Sequence, residues 1–256
     1  MAIKRRDFLK LGGLAVISTV ATSALAKNFT KTKGSETLID KRWVMVIDVL
    51  KCRENRAICE LKCVDTCHEL HNVPQIPDKK KEIKWIWEEK FQHAFPELST
   101  NRYLNEKFWD VPFLLLCNHC DEPPCVRVCP TQATFKRHDG IVMMDFHRCI
   151  GCRFCMAACP YGARSFNWFD PKPYLTKVNP EYPARSKGVV EKCTFCDERL
   201  AEGKIPACVE ACPGQALHFG DLANPNDPIH QILKGRIAIR RKEELSTKPS
   251  VYYLIG

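Results

Sequence analysis

Long apolar runs are missing from this 256-residue sequence beyond its first 26 residues. A membrane-spanning helix needs about 20 predominantly apolar residues, and the run Phe113–Leu116 is far shorter. We therefore expect Phe113–Leu116 to be a buried core segment, and the chain after residue 26 to be soluble or peripheral to a membrane.

Motifs of catalysis and of nucleotide binding are missing as well. The sequence contains no recognisable nucleophile–base pair, no phosphate-binding loop and no dinucleotide-binding fingerprint. It also has no basic stripe interleaved with aromatic residues, the pattern typical of nucleic-acid binding. These absences argue against an active site on this chain and against a nucleic-acid partner.

The first 26 residues have the pattern of a targeting signal. Residues 4–10 read K-R-R-D-F-L-K, and the apolar stretch from Leu11 to Ala26 ends in A-L-A, which fits an A-x-A cleavage site. The stretch contains glycine, serine and threonine, so it is short and polar for a membrane span. Residues 1–26 therefore resemble a twin-arginine signal peptide, which predicts export of the folded protein to the periplasm or the extracytoplasmic face of the membrane. An uncleaved leader that acts as an anchor is the alternative.

Sixteen cysteines dominate the rest of the sequence and fall into four groups. Cysteines two residues apart in one turn cannot readily form disulfides with each other. Zinc could bind four-cysteine groups, but a tetrahedral site explains neither a closely spaced triple nor recurring Cys-Pro endings. The groups are Cys52-x6-Cys59-x3-Cys63-x3-Cys67, Cys117-x2-Cys120-x4-Cys125-x3-Cys129-Pro130, Cys149-x2-Cys152-x2-Cys155-x3-Cys159-Pro160 and Cys193-x2-Cys196-x11-Cys208-x3-Cys212-Pro213.

The third group has the spacing of a bacterial ferredoxin, C-x2-C-x2-C-x3-C-P. Three thiolates from one tight loop can hold one face of a cubane, and Gly151 permits the sharp backbone path that this loop needs. The fourth cysteine lies one helical turn further on, about 5.4 Å along the axis, and in two-cluster ferredoxins it binds the other cluster. The spacing therefore predicts 4Fe-4S clusters that are held in pairs.

Three of the groups end in related sequences, which indicates duplication. These are C-P-T-Q-A at 129–133, C-P-Y-G-A at 159–163 and C-P-G-Q-A at 212–216. Between the second and third groups, segments 133–135 and 141–143 flank the turn sequence His138-Asp139-Gly140. We expect a small ferredoxin-type hairpin there.

The first group departs from this spacing, because it gains about five residues between its first and third cysteines. Which of Cys52, Cys59 and a substitute ligand completes its cluster is open, and the candidate substitutes are Asp65, His68 and His71. A cluster of altered type is a further possibility.

Two kinds of residue near these groups have more ordinary interpretations. Trp85, Trp87 and Trp109 lie between the first and second groups, where we expect them to be core residues. His119 lies between two cysteines, and we expect it to make a structural hydrogen bond rather than to tune a metal centre.

The net charge also fits metal centres. The formal charge of +9 includes +3 from residues 1–26 and counts every cysteine as neutral. If four clusters with their thiolates carry about −2 each, the protein after residue 26 has a net charge of about −2. The basic excess is then charge compensation.

From Trp43 to about Tyr253 the chain resembles the four-cluster ferredoxin-type subunit of the DMSO-reductase and NrfD-linked families. The resemblance is carried by L-L-C-N-H-C-D-E-P-P-C-V-R-V-C-P-T, by E-K-C-T-F-C-D-E-R at 191–199 and by P-S-V-Y-Y-L at 249–254. It implies an α+β fold of two interleaved bacterial ferredoxin-like modules, each with two 4Fe-4S clusters, an inserted segment at 68–116 and a C-terminal tail.

The same resemblance implies four ligand sets, which we name by one member. They are the Cys149 set (Cys149, Cys152, Cys155 and Cys129), the Cys117 set (Cys117, Cys120, Cys125 and Cys159), the Cys67 set (Cys193, Cys196, Cys208 and Cys67) and the Cys52 set (Cys52, Cys59, Cys63 and Cys212). The implied division of the chain is the signal peptide at 1–26, the first cysteine group plus insertion at 43–116, the inner module at 117–170, the fourth cysteine group at 171–222 and the C-terminal tail at 223–256. The fourth group completes the outer module together with residues 43–74.

The resemblance finally implies electron transfer in a membrane complex. The chain is most like the periplasmic DsrO-type subunit of the DsrMKJOP complex, which would relay electrons between a quinone-reactive NrfD-type membrane subunit and a periplasmic multihaem cytochrome c in sulfur or sulfite metabolism. The runner-up is the electron-transfer beta subunit of a molybdopterin oxidoreductase, such as a tetrathionate, polysulfide or DMSO reductase. Competing classes are an enzyme acting at the irregular first group and a structural zinc protein.

Overall fold

Short helices and strands alternate along residues 41–256, the part of the chain that the computed structural model describes. The predicted signal peptide, residues 1–26, lies outside the described residues. No helix within 41–256 is long and apolar enough to span a membrane. The strands are β1 (Trp43–Asp48), β2 (Ile86–Lys90), β3 (Pro112–Leu116), β4 (Thr134–Lys136), β5 (Val142–Met144), β6 (Ser165–Phe166), β7 (Val190–Glu191), β8 (Leu217–Asp221), β9 (Ala238–Ile239) and β10 (Val251–Leu254).

The helices are equally short, and the mixture confirms the predicted presence of both α and β structure. They are α1 (Val49–Glu54), α2 (Arg56–Cys59), α3 (Lys62–Leu70), α4 (Phe91–Ala94), α5 (Arg102–Phe108), α6 (Pro124–Arg127), α7 (Phe154–Ala158), α8 (Asp197–Ala201), α9 (Ala207–Glu210) and α10 (Ile229–Lys234), with 3-10 turns at Lys172–Tyr174 and Glu243–Leu245.

The largest sheet joins strands that are distant in sequence, in the order β8-β1-β10-β9. Strand β1 pairs in parallel with β10, where Met45 is opposite Val251, and antiparallel with β8, where Ile47 is opposite Leu217. Its sequence W-V-M-V-I-D is a nearly continuous apolar run, and all but Trp43 are buried, as in a central strand covered on both faces. The sheet thus connects the segment before the first cysteine group with the segment after the fourth.

Helix α1 starts directly at the end of β1. The Asp48 carboxylate accepts the backbone N–H of Lys51 at 3.0 Å and caps the helix. This cap fixes the start of the helix that carries Cys52.

The segment between the first and second cysteine groups has its own aromatic core. Phe91, Phe95, Phe108 and Phe113 are fully buried, with ring centroids 5.2–5.8 Å apart. The Tyr253 hydroxyl donates to the Leu114 carbonyl at 3.2 Å, which ties this core to β10. The prediction that Phe113–Leu116 is a buried core segment is confirmed.

The tryptophans of this segment differ from one another. Trp85 is buried as predicted, and Trp87 is half-buried against the core. The prediction was wrong for Trp109, which is 57% exposed. It directly follows Phe108, and since neighbouring residues at a helix end point in different directions, the burial of Phe108 leaves Trp109 outside.

The hairpin between the second and third cysteine groups is confirmed. Strands β4 and β5 are antiparallel, with Thr134 opposite Met144. Each strand lies one residue later than the predicted segments 133–135 and 141–143. Gly140 has φ +85°, a conformation that glycine adopts without strain.

Candidate metal centres

Three internal cavities are each lined by four cysteines. All sixteen cysteines lie in the described residues and none forms a disulfide. The space not filled by atoms at these cavities, including the part that opens to solvent, is about 290, 370 and 310 Å³. Their cysteines are Cys67, Cys193, Cys196 and Cys208 in the first, Cys52, Cys59, Cys63 and Cys212 in the second, and Cys117, Cys120, Cys125 and Cys159 in the third.

Each of these cavities therefore combines three cysteines of one group with one cysteine of another. The structure brings together the Cys67, Cys52 and Cys117 sets in the combinations that the resemblance implies. For the Cys149 set, Cys155 lies in a small buried cluster against which Cys149 and Cys129 pack. Cys152 lies half-buried in the same ligand loop.

The donor chemistry of these cavities fits iron-sulfur clusters. Burial first, and neighbouring thiols second, raise the pKa of Cys63 and Cys193 to about 12, and burial with nearby Cys59 and Cys212 raises that of Cys52 to about 11. The same causes hold the pKa of Cys67 and Cys208 well above the ordinary value. Four sulfurs that resist ionisation side by side are stabilised when metal cations replace their protons, and all-sulfur sets select iron-sulfur clusters or zinc.

The related sequences that end three groups act as hydrogen-bond donors to sulfur. Although burial raises the pKa of Cys129, backbone N–H groups of Thr134, Thr131 and Ala133 with the Thr131 hydroxyl lower it below the ordinary value. The Cys212 sulfur accepts the N–H of Ala216 at 3.3 Å. Such bonds orient a ligand and set the potential of its metal centre.

One backbone position in these sequences explains why a backbone N–H points at the cysteine sulfur. The third residue after the cysteine is left-handed in all three, at Gln132 (φ 54°), Gly162 (φ 64°) and Gln215 (φ 47°). This turn aims the N–H of the following alanine back at the sulfur, as at Cys159, where the Ala163 and Tyr161 N–H groups counter the effect of burial.

The Cys-x-x-Cys loops share a second left-handed position. The residue before the second cysteine has positive φ in all three, at His119 (φ 40°), Gly151 (φ 70°) and Phe195 (φ 59°). Sequence reasoning identified Gly151 alone, because the other two positions hold residues that rarely adopt this conformation.

The extra residues of the first group fold as helix. Cys52 lies in α1, Cys59 ends α2, and Asn55 ends the first of these helices and precedes the second. The turn between them brings both cysteines to the cavity that Cys63 and Cys212 also line.

None of the candidate substitutes lines that cavity. Asp65 is exposed, and His68 is half-buried with its pKa lowered to about 4 by burial. His71 is buried beside the Cys67 set, where it lines the cavity of that set instead.

His71 holds the cavity of the Cys67 set together. Its ring stacks on Trp85 with centroids 4.7 Å apart, its Nδ1 lies 2.8 Å from the Cys67 carbonyl, and its Nε2 lies 2.8 Å from a Glu198 oxygen. Burial raises the pKa of the Glu198 carboxyl, but the hydrogen bond and the charge of His71, together with hydrogen bonds from residues 197 and 198, outweigh burial and lower it. His71, Cys196 and Glu198 lie within 4.8 Å of one another, so this cluster is part of the Cys67 site.

His119 and Lys192 lie between the Cys117 and Cys67 sets. The prediction of a structural hydrogen bond is confirmed, because His119 Nδ1 accepts the Val142 N–H at 3.1 Å. Burial, then Lys192 and Arg164, hold the pKa of His119 well below its ordinary value, so the ring is neutral. Lys192 is fully buried and donates to the carbonyls of Val142 and Cys193 (2.8 Å for Cys193).

Comparison with known proteins agrees with this chemistry. A family model described as "4Fe-4S dicluster domain" matches residues 111–178 and 170–222. The chain is 41% identical to the "Hdr-like menaquinol oxidoreductase iron-sulfur subunit 1" of Archaeoglobus fulgidus, over 98% of this chain and 97% of that protein. It is 39% identical to the "Menaquinone reductase, iron-sulfur cluster-binding subunit" of Nitratidesulfovibrio vulgaris, over 83% and 88% of the two chains. It is 35% identical to a tetrathionate reductase subunit of Salmonella typhimurium, over 99% and 89%.

Proposed function

The chain belongs to the family of 4Fe-4S dicluster iron-sulfur subunits, and from that premise we propose that it is the electron-transfer subunit of a membrane-associated oxidoreductase complex and holds four 4Fe-4S clusters. The observation that carries the proposal is the three cavities, each lined by four cysteines. The clusters supply reversible one-electron transfer, and the chain supplies sulfur ligands and a buried setting.

The proposed ligands are the Cys52, Cys67, Cys117 and Cys149 sets. Sharing the fourth cysteine between groups makes the two modules interleave, since Cys67 precedes the inner module in sequence and Cys193 follows it. Pairing of β1 with β8 supports this arrangement, because it brings residues 43–48 and 217–221 together in one sheet.

The electrostatic influence of thiols on the pKa of cysteines in a neighbouring set supports an order of the sets in a row. The pKa of Cys208 is raised first by burial, next by the thiols of its own set and then by Cys63, which belongs to the Cys52 set. After burial, Cys117 adds most to the raised pKa of Cys193, and Cys125 adds to that of Cys155. We infer the order Cys52 set, Cys67 set, Cys117 set and Cys149 set, with the Cys52 and Cys149 sets at the two ends.

The proposed partners are a quinone-reactive NrfD-type membrane subunit and a periplasmic multihaem cytochrome c, in a DsrO-type role in sulfur or sulfite metabolism. The names of two relatives, a menaquinol oxidoreductase subunit and a menaquinone reductase subunit, support the quinone side. The leader at residues 1–26, which resembles a twin-arginine signal peptide, supports a periplasmic location.

A second candidate is the beta subunit of a molybdopterin oxidoreductase. It is favoured by the 35% identity to a tetrathionate reductase subunit over almost the whole chain. In that case the row of clusters would connect to a molybdopterin subunit instead of a cytochrome.

Anaerobic purification with the native partners tests the proposal. We expect a brown complex that contains this chain, an NrfD-type subunit and a haem protein, with clusters that a menaquinol analogue can reduce. A co-purifying molybdopterin subunit without haem would instead support the second candidate. Zinc in place of iron, or turnover of a sulfur compound by this chain alone, would overturn the electron-transfer proposal.

A further inference from the structure

A buried arginine lies between the Cys117 and Cys149 sets. Arg164 is only 5% exposed, and it directly follows the C-P-Y-G-A sequence at 159–163. At the same position after the other two repeats the chain has Thr134 and Leu217. The cation is therefore specific to one of three related sequences.

The contacts of Arg164 are with sulfur and a hydroxyl. Its Nη2 donates to the Cys125 sulfur at 3.1 Å, and its Nη1 donates to the Thr134 hydroxyl at 3.0 Å. Nη1 also lies 3.8 Å from the Met144 sulfur. No carboxylate of residues 41–256 pairs with this guanidinium.

Cysteine sulfurs therefore balance the charge. Arg164 lines the cavity of the Cys117 set, and Cys125 and Met144, whose sulfurs it reaches, pack in one small buried cluster with Cys155. Cys125 belongs to the Cys117 set and Cys155 belongs to the Cys149 set, so the cation lies close to both sets. A buried cation without an anionic partner is strongly destabilising, and here the partners are the metal-binding sulfurs.

We propose that Arg164 is a positioning residue that raises the reduction potentials of the two centres held by the Cys117 and Cys149 sets; the inference rests on the proposed function. One-electron reduction adds a negative charge to a centre. A cation at hydrogen-bond distance from a ligand sulfur, where water does not screen it, stabilises the reduced form more than the oxidised form. The repeat at 212–216, whose cysteine belongs to the Cys52 set, is followed by Leu217 and lacks this cation there.

Potentiometric titration of the purified complex, followed by electron paramagnetic resonance, tests the inference with Arg164→Gln and Arg164→Lys. In the glutamine variant we expect the reduction potentials of two of the four one-electron transitions to fall by at least about 59 mV each, which is a tenfold shift of the equilibrium toward the oxidised form. The other two reduction potentials should stay unchanged. In the lysine variant the charge remains, so we expect shifts below threefold, or about 28 mV. The matched control is Arg148→Gln, which removes an exposed arginine next to Cys149; we expect shifts below threefold because water screens that charge.

Three results would overturn the inference: unchanged transitions in the glutamine variant at full iron content, equal shifts in all four transitions, or a control shift as large as that of Arg164→Gln. If the glutamine variant does not retain iron, the lysine variant decides, and a tenfold shift there would refute a role for the charge. A parent complex without iron-based transitions would contradict the proposed function itself, which separates the two failures.

Discussion

Replacement of Glu191 by glutamine tests how the buried Glu191–Arg185 pair stabilises the residues around the cavity of the Cys67 set. The side chains of Glu191 and Arg185 are completely buried, and Arg185 Nη2 lies 2.6 Å from Glu191 Oε2. Glu191 also accepts the indole N–H of Trp85 at 2.8 Å. Arg185 in turn donates to the backbone carbonyls of His71 and, at 2.7 Å, Asn72, so this pair fixes the chain that follows Cys67.

The expected cost follows from the burial. Removing one partner of a buried ion pair typically costs about 3–5 kcal/mol, because the other charge stays buried without compensation. For a chain of this size each kcal/mol lowers the unfolding midpoint by about 2–4 °C. We expect Glu191→Gln to lower the midpoint of the iron-loaded protein by about 6–20 °C.

Thermal unfolding under anaerobic conditions, followed by far-ultraviolet circular dichroism, measures this change. The control is Glu106→Gln, which removes the exposed ion pair with Arg102 and should cost at most about 0.5 kcal/mol. A double variant, Glu191→Leu with Arg185→Met, should recover part of the lost stability, because no charge is then left buried. A Glu191→Gln midpoint no lower than that of Glu106→Gln would refute the reasoning.

Three further substitutions test other parts of the molecule. Cys212→Ser and Cys52→Ser should each remove the iron of the Cys52 set alone, so metal analysis of either variant should find about four irons fewer per chain. Loss of iron from the Cys67 set instead would contradict the assignment of Cys212 to the Cys52 set. Gly151→Ala should destabilise the protein more than Gly162→Ala, as judged by unfolding midpoint and iron content. Both glycines have positive φ, so alanine costs about 1–2 kcal/mol at either position. At residue 151 the added Cβ would also lie 2.3 Å from the Gly188 carbonyl oxygen, whereas at residue 162 it would meet nothing within 4 Å. Equal effects of the two substitutions would show that the clash at residue 151 is relieved. Phe113→Ala should cost about 3–5 kcal/mol in denaturant unfolding, whereas Tyr103→Ala, at an 81% exposed aromatic, should cost little; a small effect of the first would mean that the aromatic core can collapse around the gap.

Local patterns in the sequence predicted the parts of the fold that depend on near neighbours. The hairpin of β4 and β5 follows from two short apolar segments around His138-Asp139-Gly140, and the buried strand β3 follows from a run of leucines. Trp109 shows the limit of such reasoning, since composition alone does not tell which of two adjacent aromatic residues at a helix end faces the core.

For the candidate metal centres, too, local sequence patterns predicted some features and missed others. Cysteine spacing indicated iron-sulfur chemistry and identified the irregular first group, but spacing did not reveal that α1 and α2 bring Cys52 and Cys59 to one cavity. His71 and Arg164 contact residues of other segments at the ligand sets, and nothing in their local sequence marks those contacts. The alanine that follows each Cys-Pro ending was visible as a repeat, and its hydrogen bond to sulfur supplies the physical reason for it.

Iron and acid-labile sulfide content of anaerobically purified protein is the most direct test of the central claim that sixteen cysteines hold four cubane clusters. The account predicts about sixteen irons and sixteen sulfides per chain, with four one-electron transitions in a redox titration. Colourless protein that contains zinc, or far fewer irons than this, would contradict it.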